Sequence, residues 1–79
     1  MRLPRDLSGD ELARRLSRLG YSIVRQSGSH MRLTTSSAEH HITIPRHSPL
    51  RVGTLSSIVD DVAAHLEITR QELLTRLFA

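Results

Sequence analysis

The sequence predicts an α+β fold: an α-β-β-β-α two-layer sandwich whose three-stranded antiparallel sheet carries helices on one face, followed by a short C-terminal helix. Three observations lead there. Apolar residues recur at helical spacing on both sides of a central stretch. The central stretch itself switches to strand-like runs broken by turn residues. With 79 residues, 38% of them hydrophobic, there is room for one small core and none for a multidomain enzyme.

The first helix is announced by Ser8 standing three residues before Glu11, with Leu7 and Leu12 at the positions that clamp a helix start from outside. Leu12, Leu16 and Leu19 follow at helical spacing, Arg14, Arg15 and Arg18 take the other side, and Gly20 supplies a left-handed stop. This predicts a helix over about 8–19. Strands follow over about 21–26 and 29–35, and the Ser27-Gly28 pair between them reads as a tight hairpin turn. The polar stretch from Ser36 to Glu39 leads to a third strand over about 40–45, ended by Pro45, which cannot donate to a ladder. Beyond a connection holding Pro49 and Gly53, Leu55, Ile58, Val59, Val62, Ala63 and Leu66 make a full helical stripe over about 54–66, with Thr54 as its cap. Thr69 and Glu72 form a second capping box for a helix over about 70–78, which buries Leu73, Leu74, Leu77 and Phe78. Residues 1–79 read as one domain.

Eleven Arg, no Lys and eight acidic residues give a formal charge of +3. Arg favours forked contact with phosphate or carboxylate, although compositional bias explains its exclusive use equally well. The charge permits a nucleic-acid partner without requiring one. No cysteine is present, so neither a disulfide framework nor a thiolate zinc site is available. His40 and His41 are neighbours, point to opposite faces of a strand and cannot easily share a metal with His30, so no metal and no cofactor is expected. The segment from Met1 to Asp6 has no apolar run behind its charges, which predicts a cytoplasmic protein with no membrane association.

Register arithmetic divides the strands into faces. A two-residue Ser27-Gly28 loop pairs Arg25 with His30, Val24 with Met31 and Ser22 with Leu33. Pairing Thr35 with His40 sets Met31 against Ile44, Leu33 against Ile42 and His30 against Pro45. Val24, Met31, Leu33, Ile42 and Ile44 then form an apolar face for the first two helices. The opposite face carries Arg25, His30, Arg32, Thr34, His41 and Thr43, with His47 just beyond. The same register places Tyr21 and Ile23 on that outer side, which demands either a bulge in the first strand or a partner that covers the patch.

Helix, three-stranded meander, helix is the order of a double-stranded-RNA-binding domain, and the residues in view resemble one family that uses it. The similarity begins at Glu11-Leu12 and passes through Gly20-Tyr21, Val24-Arg25-Gln26, Gly28-Ser29-His30, Ile42-Thr43-Ile44-Pro45, His47 and Val52-Gly53-Thr54-Leu55 to Ser57-Ile58. On these residues the chain resembles the HicA toxins. The resemblance implies an mRNA interferase, the toxin half of a type II toxin-antitoxin pair, held inactive by a HicB-like antitoxin in a toxin-antitoxin hetero-oligomer. The family's catalytic histidine falls on His30, with Gly28 and Ser29 as the turn that presents it. Arg stands at basic positions often filled by Lys, and the helix after Thr69 is an addition whose role the resemblance does not give.

RNA cleavage without a metal needs a base for the 2′-hydroxyl proton, cationic donors for the phosphate and an acid for the leaving 5′-oxygen. His30 is the expected base, Arg25 and Arg32 the phosphate donors, and His47 a candidate acid. Without the resemblance, His30 is an exposed strand histidine with no task, and His47 a residue that bonds its own connection. Arg14 and Arg18 on the first helix are candidate RNA contacts, or members of a solvated face in which Asp10 and Glu11 pair with Arg14 and Arg15. Thr54 behind Gly53 is a phosphate site or simply a cap, and Tyr21 stacks a base or packs. Tyr21, Ile23, Arg25, His30 and Arg32 together offer an antitoxin-binding surface of mixed apolar and cationic character.

Two other readings compete. Residues 59–78 read as a DNA-binding helix-turn-helix with Arg70 and Gln71 exposed at the start of its recognition helix, although Glu67 occupies a turn position where Gly is easier. The other is a HicA-like module that binds RNA or antitoxin without cutting.

Overall fold

The structure, a computed structural model, describes residues 2–79. The Ser8 side chain accepts the Glu11 amide hydrogen at 3.1 Å, so helix α1 (Gly9–Ser17) starts where the capping box placed it. It ends two residues earlier than expected, in a turn closed by Gly20 at φ +94°. Strands β1 (Tyr21–Ser27), β2 (His30–Thr35) and β3 (His41–Pro45) form one antiparallel sheet in the order β1-β2-β3. Helices α2 (Val52–Leu66) and α3 (Arg70–Phe78) complete the α+β layout that the sequence predicts.

The β2–β3 register is the predicted one, with Met31 opposite Ile44, Leu33 opposite Ile42 and His30 opposite Pro45. The β1–β2 register is not. The turn is Gly28-Ser29, with Gly28 left-handed at φ +56°, and Ser27 faces His30. Arg25 therefore faces Arg32 and not His30, its partner in the predicted register. A bulge between Ile23 and Arg25 then shifts the register again, pairing Ile23 with Leu33 and Tyr21 with Thr35. Two corrections follow. Tyr21 leaves the outer face for the core, where it is 1% exposed, and Ile23 moves to the helix side of the edge strand. Val24, expected in the apolar face, is the bulged residue and is 56% exposed.

The core lies between the sheet's inner residues Met31, Leu33, Ile42 and Ile44 and the apolar stripes of the three helices. Helix α2 begins at Val52, so Thr54 is not its cap; Arg51 precedes the first turn and makes no capping side-chain bond. The cause lies upstream. Leu50 is buried and its N–H donates to the Leu7 carbonyl at 2.7 Å, which fixes the connection and lets the helix start directly after it. Glu67 closes α2 in the left-handed conformation at φ +57°, and Thr69 caps α3 by accepting the Glu72 amide hydrogen at 3.0 Å. Leu73, Leu74 and Leu77 bury the inner side of α3. Arg15 makes the expected ion pair with Glu11 at 3.3 Å and also belongs to this junction: its Nη1 donates to the Leu77 carbonyl at 2.7 Å and its guanidinium lies over the Phe78 ring.

Glycine is required at position 9. A Cβ there would sit 2.0 Å from the Pro45 carbonyl oxygen, and the Gly9 N–H donates to the His47 carbonyl at 2.9 Å. The start of α1 is thus pressed against the end of β3. The Arg46 N–H reaches the Ser29 carbonyl at 2.6 Å, so the same segment holds the tip of the β1–β2 hairpin.

Candidate functional site

The sheet face away from the helices is built in three cross-strand rows: Ser27, His30 and Pro45; Arg25, Arg32 and Thr43; Ser22, Thr34 and His41. None of the eight acidic residues lies in a strand. Arg25 and Arg32 are exposed, stand directly opposite each other and have no carboxylate partner among the described residues. Like charges facing each other across a ladder disfavour the free sheet. An anion seated between them removes that penalty and gains charge-assisted hydrogen bonds.

His30 opens β2 immediately after the Gly28-Ser29 turn, and its ring is exposed at the edge of this cationic row. Its Nδ1 lies 3.4 Å from the Ser29 hydroxyl, a long and weak contact. His47 is exposed two residues beyond Pro45, the cross-strand neighbour of His30, and its carbonyl is tied to α1. No hydrogen bond joins the His47 and His30 rings among the described residues. The structure therefore gathers Arg25, His30, Arg32, Thr34, His41 and Thr43 on one face, as the sequence predicts.

Arg14 and Arg18 are not part of it. Arg14 lies on α1, paired with Glu11 at 2.5 Å, and Arg18 is the residue that follows the helix as its C-cap. Asp10, expected to pair with Arg14, instead takes both oxygens to the Arg46 guanidinium at 3.0 and 3.1 Å. That hydrogen bond holds the Asp10 carboxyl below its ordinary range and raises Arg46 in turn. Ile23, 49% exposed, rims a groove of about 500 Å³ between α1 and β1 that also includes Arg14 and Arg46. Of the five residues expected to bind an antitoxin together, Arg25, His30 and Arg32 remain on the outer face, whereas Tyr21 is buried and Ile23 turns toward the helices.

One cluster was missed by sequence reasoning. The Tyr21 hydroxyl lies 2.6 Å from Nδ1 of His40, Nε2 of His40 lies 3.0 Å from Asp61, and His65 stacks on the same ring with centroids 4.5 Å apart. Burial, and then the charge of Asp61, pushes the Tyr21 hydroxyl up to about 12. The signal available was the spacing of Asp61 and His65, four apart on one face of α2. It could not show which strand that face would meet.

Of the two side chains that the helix-turn-helix reading puts forward, Arg70 and Gln71, the first is engaged within the fold. Arg70 is bound to α2, with Nη1 2.5 Å from Asp60 and Nη2 2.8 Å from the Ser56 hydroxyl. Among the described residues no helix is long and apolar enough to cross a membrane, and no three His, Cys, Asp or Glu side chains are grouped as metal ligands.

Fold and face together define a small α+β protein that presents an acid-free, guanidinium- and imidazole-bearing sheet. The family model described as the HicA toxin of bacterial toxin-antitoxin pairs matches residues 9–66, from the start of α1 to the end of α2. The chain belongs to the HicA toxin family: it is a toxin of a toxin-antitoxin system, with a cognate antitoxin as its partner. Helix α3 lies outside the matched residues. No curated protein and no solved structure matches the chain.

Proposed function

We propose that this toxin is a metal-independent endoribonuclease that cuts mRNA in the cytoplasm, thereby arresting translation and growth, and that a HicB-like antitoxin neutralises it. The observation that carries the reading is the pairing of exposed Arg25 with exposed Arg32, free of carboxylates, beside a histidine presented by a tight turn. The guanidiniums bind the phosphate on either side of its charge. His30 takes the 2′-hydroxyl proton; the 2′-oxygen attacks phosphorus, the bond to the 5′-oxygen breaks, and an acid returns a proton to that oxygen. His47 is the candidate acid, with water as the other donor. Gly28 and Ser29 act through geometry, holding the imidazole at the edge of the phosphate row.

Arg25, His30 and Arg32 also present the surface that an acidic antitoxin would cover, blocking the base while matching the charge. The test is expression of wild type beside His30→Ala, scored by growth and by the integrity of cellular mRNA. Wild type arrests growth and degrades mRNA, His30→Ala does neither, and a small acidic protein from the adjacent reading frame restores growth. Equal toxicity of the two forms would remove His30 from the chemistry. A non-cleaving RNA-binding toxin would arrest growth with its mRNA intact.

A further inference from the structure

The sheet face does not end at the arginine row. Beyond it, on the side away from His30, Thr34 on β2 stands opposite His41 on β3. The His41 ring is exposed, and its Nδ1 is hydrogen-bonded to the Thr34 hydroxyl. That hydroxyl is also placed to donate to the His40 carbonyl, 3.2 Å away. A hydroxyl has one proton. If it goes to the carbonyl, Nδ1 of His41 must be the donor to the Thr34 oxygen, and the neutral ring then turns an unprotonated Nε2 outward as an acceptor. The ring is oriented by a second residue and has its working nitrogen in solvent, an arrangement that core packing does not require.

Thr34 lies four residue steps along β2 from His30, a span of about 13 Å. No single phosphate bridges that distance. An RNA strand crossing the face from His30 over Arg25 and Arg32 therefore reaches His41 a few nucleotides from the scissile bond. No acidic side chain interrupts the path, because the strands carry none.

We propose that His41, oriented by Thr34, forms a second RNA-contacting subsite that reads a nucleotide a few positions from the cut. The Nε2 acceptor recognises a base N–H or a 2′-hydroxyl there, which makes His41 a specificity-determining residue and Thr34 its positioning residue. The inference rests on the ribonuclease reading for its substrate but makes separate demands on His41.

The experiment maps cleavage ends on a defined transcript for wild type, His41→Ala, His41→Gln and Thr34→Val, and measures KM and kcat at the preferred site. His41→Ala is expected to keep kcat within a few-fold, raise KM about tenfold and relax the sequence preference at one position displaced from the cut. Thr34→Val shifts the same position less, and His41→Gln, which retains an acceptor, recovers part of the preference. An unchanged cleavage map and KM in His41→Ala would overturn the subsite while leaving His30 chemistry intact. If wild type cuts no RNA, affinity for single-stranded RNA is compared between His30→Ala and the His30→Ala, His41→Ala double variant. About tenfold weaker binding supports the subsite, and equal binding overturns it.

Discussion

The Tyr21 hydroxyl and Nδ1 of His40 are 2.6 Å apart, joining the first residue of β1 to the residue before β3. Asp61 on α2 holds the other nitrogen of the same ring. One imidazole therefore fastens the helix layer to the sheet at the end remote from the hairpin turn. Tyr21→Phe keeps the ring packing and removes the hydroxyl, stranding a half-buried nitrogen. The expected loss is about 1–3 kcal/mol, read as a lower urea midpoint with unchanged slope, and RNA cleavage by the variant should persist.

The same hydroxyl gives a pH prediction. It is pushed up to about 12 in the folded chain, whereas an unfolded tyrosine ionises near 10. Between those values the unfolded state releases a proton that the native state keeps, so stability is present in full below about pH 10 and falls as pH rises toward 12. Tyr21 is the sole tyrosine, so phenolate absorbance reports it directly. The folded protein should titrate near 12 and the urea-unfolded chain near 10.

How far the sequence could be read depended on how local each signal was. Capping boxes at Ser8 and Thr69 located two helix starts because the bonds involved span three residues. The β2–β3 register was legible because Met31, Leu33, Ile42 and Ile44 alternate without interruption. For β1 the alternation was misleading, since Val24 is an inserted residue and an edge strand buries only Tyr21. The Arg25, His30 and Arg32 part of the outer face was nevertheless legible, because moving the turn by one residue shifts the pairing by two and leaves Arg25 on the same side, whereas the bulge beyond it turns Ile23 and Tyr21 to the other. The Tyr21, His40 and Asp61 bridge was not, because it joins residues 19 and 21 positions apart through packing that no local pattern encodes.

Gly9→Ala tests the contact between α1 and the end of β3. In an isolated helix the change would help by up to about 1 kcal/mol. Here the new methyl meets a backbone oxygen at 2.0 Å, so the sign reverses. A net loss of about 1–3 kcal/mol is expected, with hydrogen exchange at the Arg46 amide accelerated more than at α3.

Arg70→Ala separates the two readings of the C-terminal residues. The guanidinium joins α3 to Asp60 and Ser56 on α2, partly exposed, and its removal should lower stability by about 1 kcal/mol. RNA cleavage should be unchanged. Salt-sensitive binding of duplex DNA that disappears in Arg70→Ala would instead favour the recognition-helix reading.

In the proposed function His30 and the Arg25, Arg32 pair cut RNA unaided by metal. Cleavage of a defined transcript by purified protein in excess chelator tests this, comparing wild type with His30→Ala and with the Arg25→Ala, Arg32→Ala double variant. Wild type should retain its activity in chelator, His30→Ala should lose about 10²- to 10⁴-fold in kcat, and the double variant should bind RNA more weakly with a shallower salt dependence. Full activity in His30→Ala, or abolition of wild-type cleavage by the chelator, would contradict it.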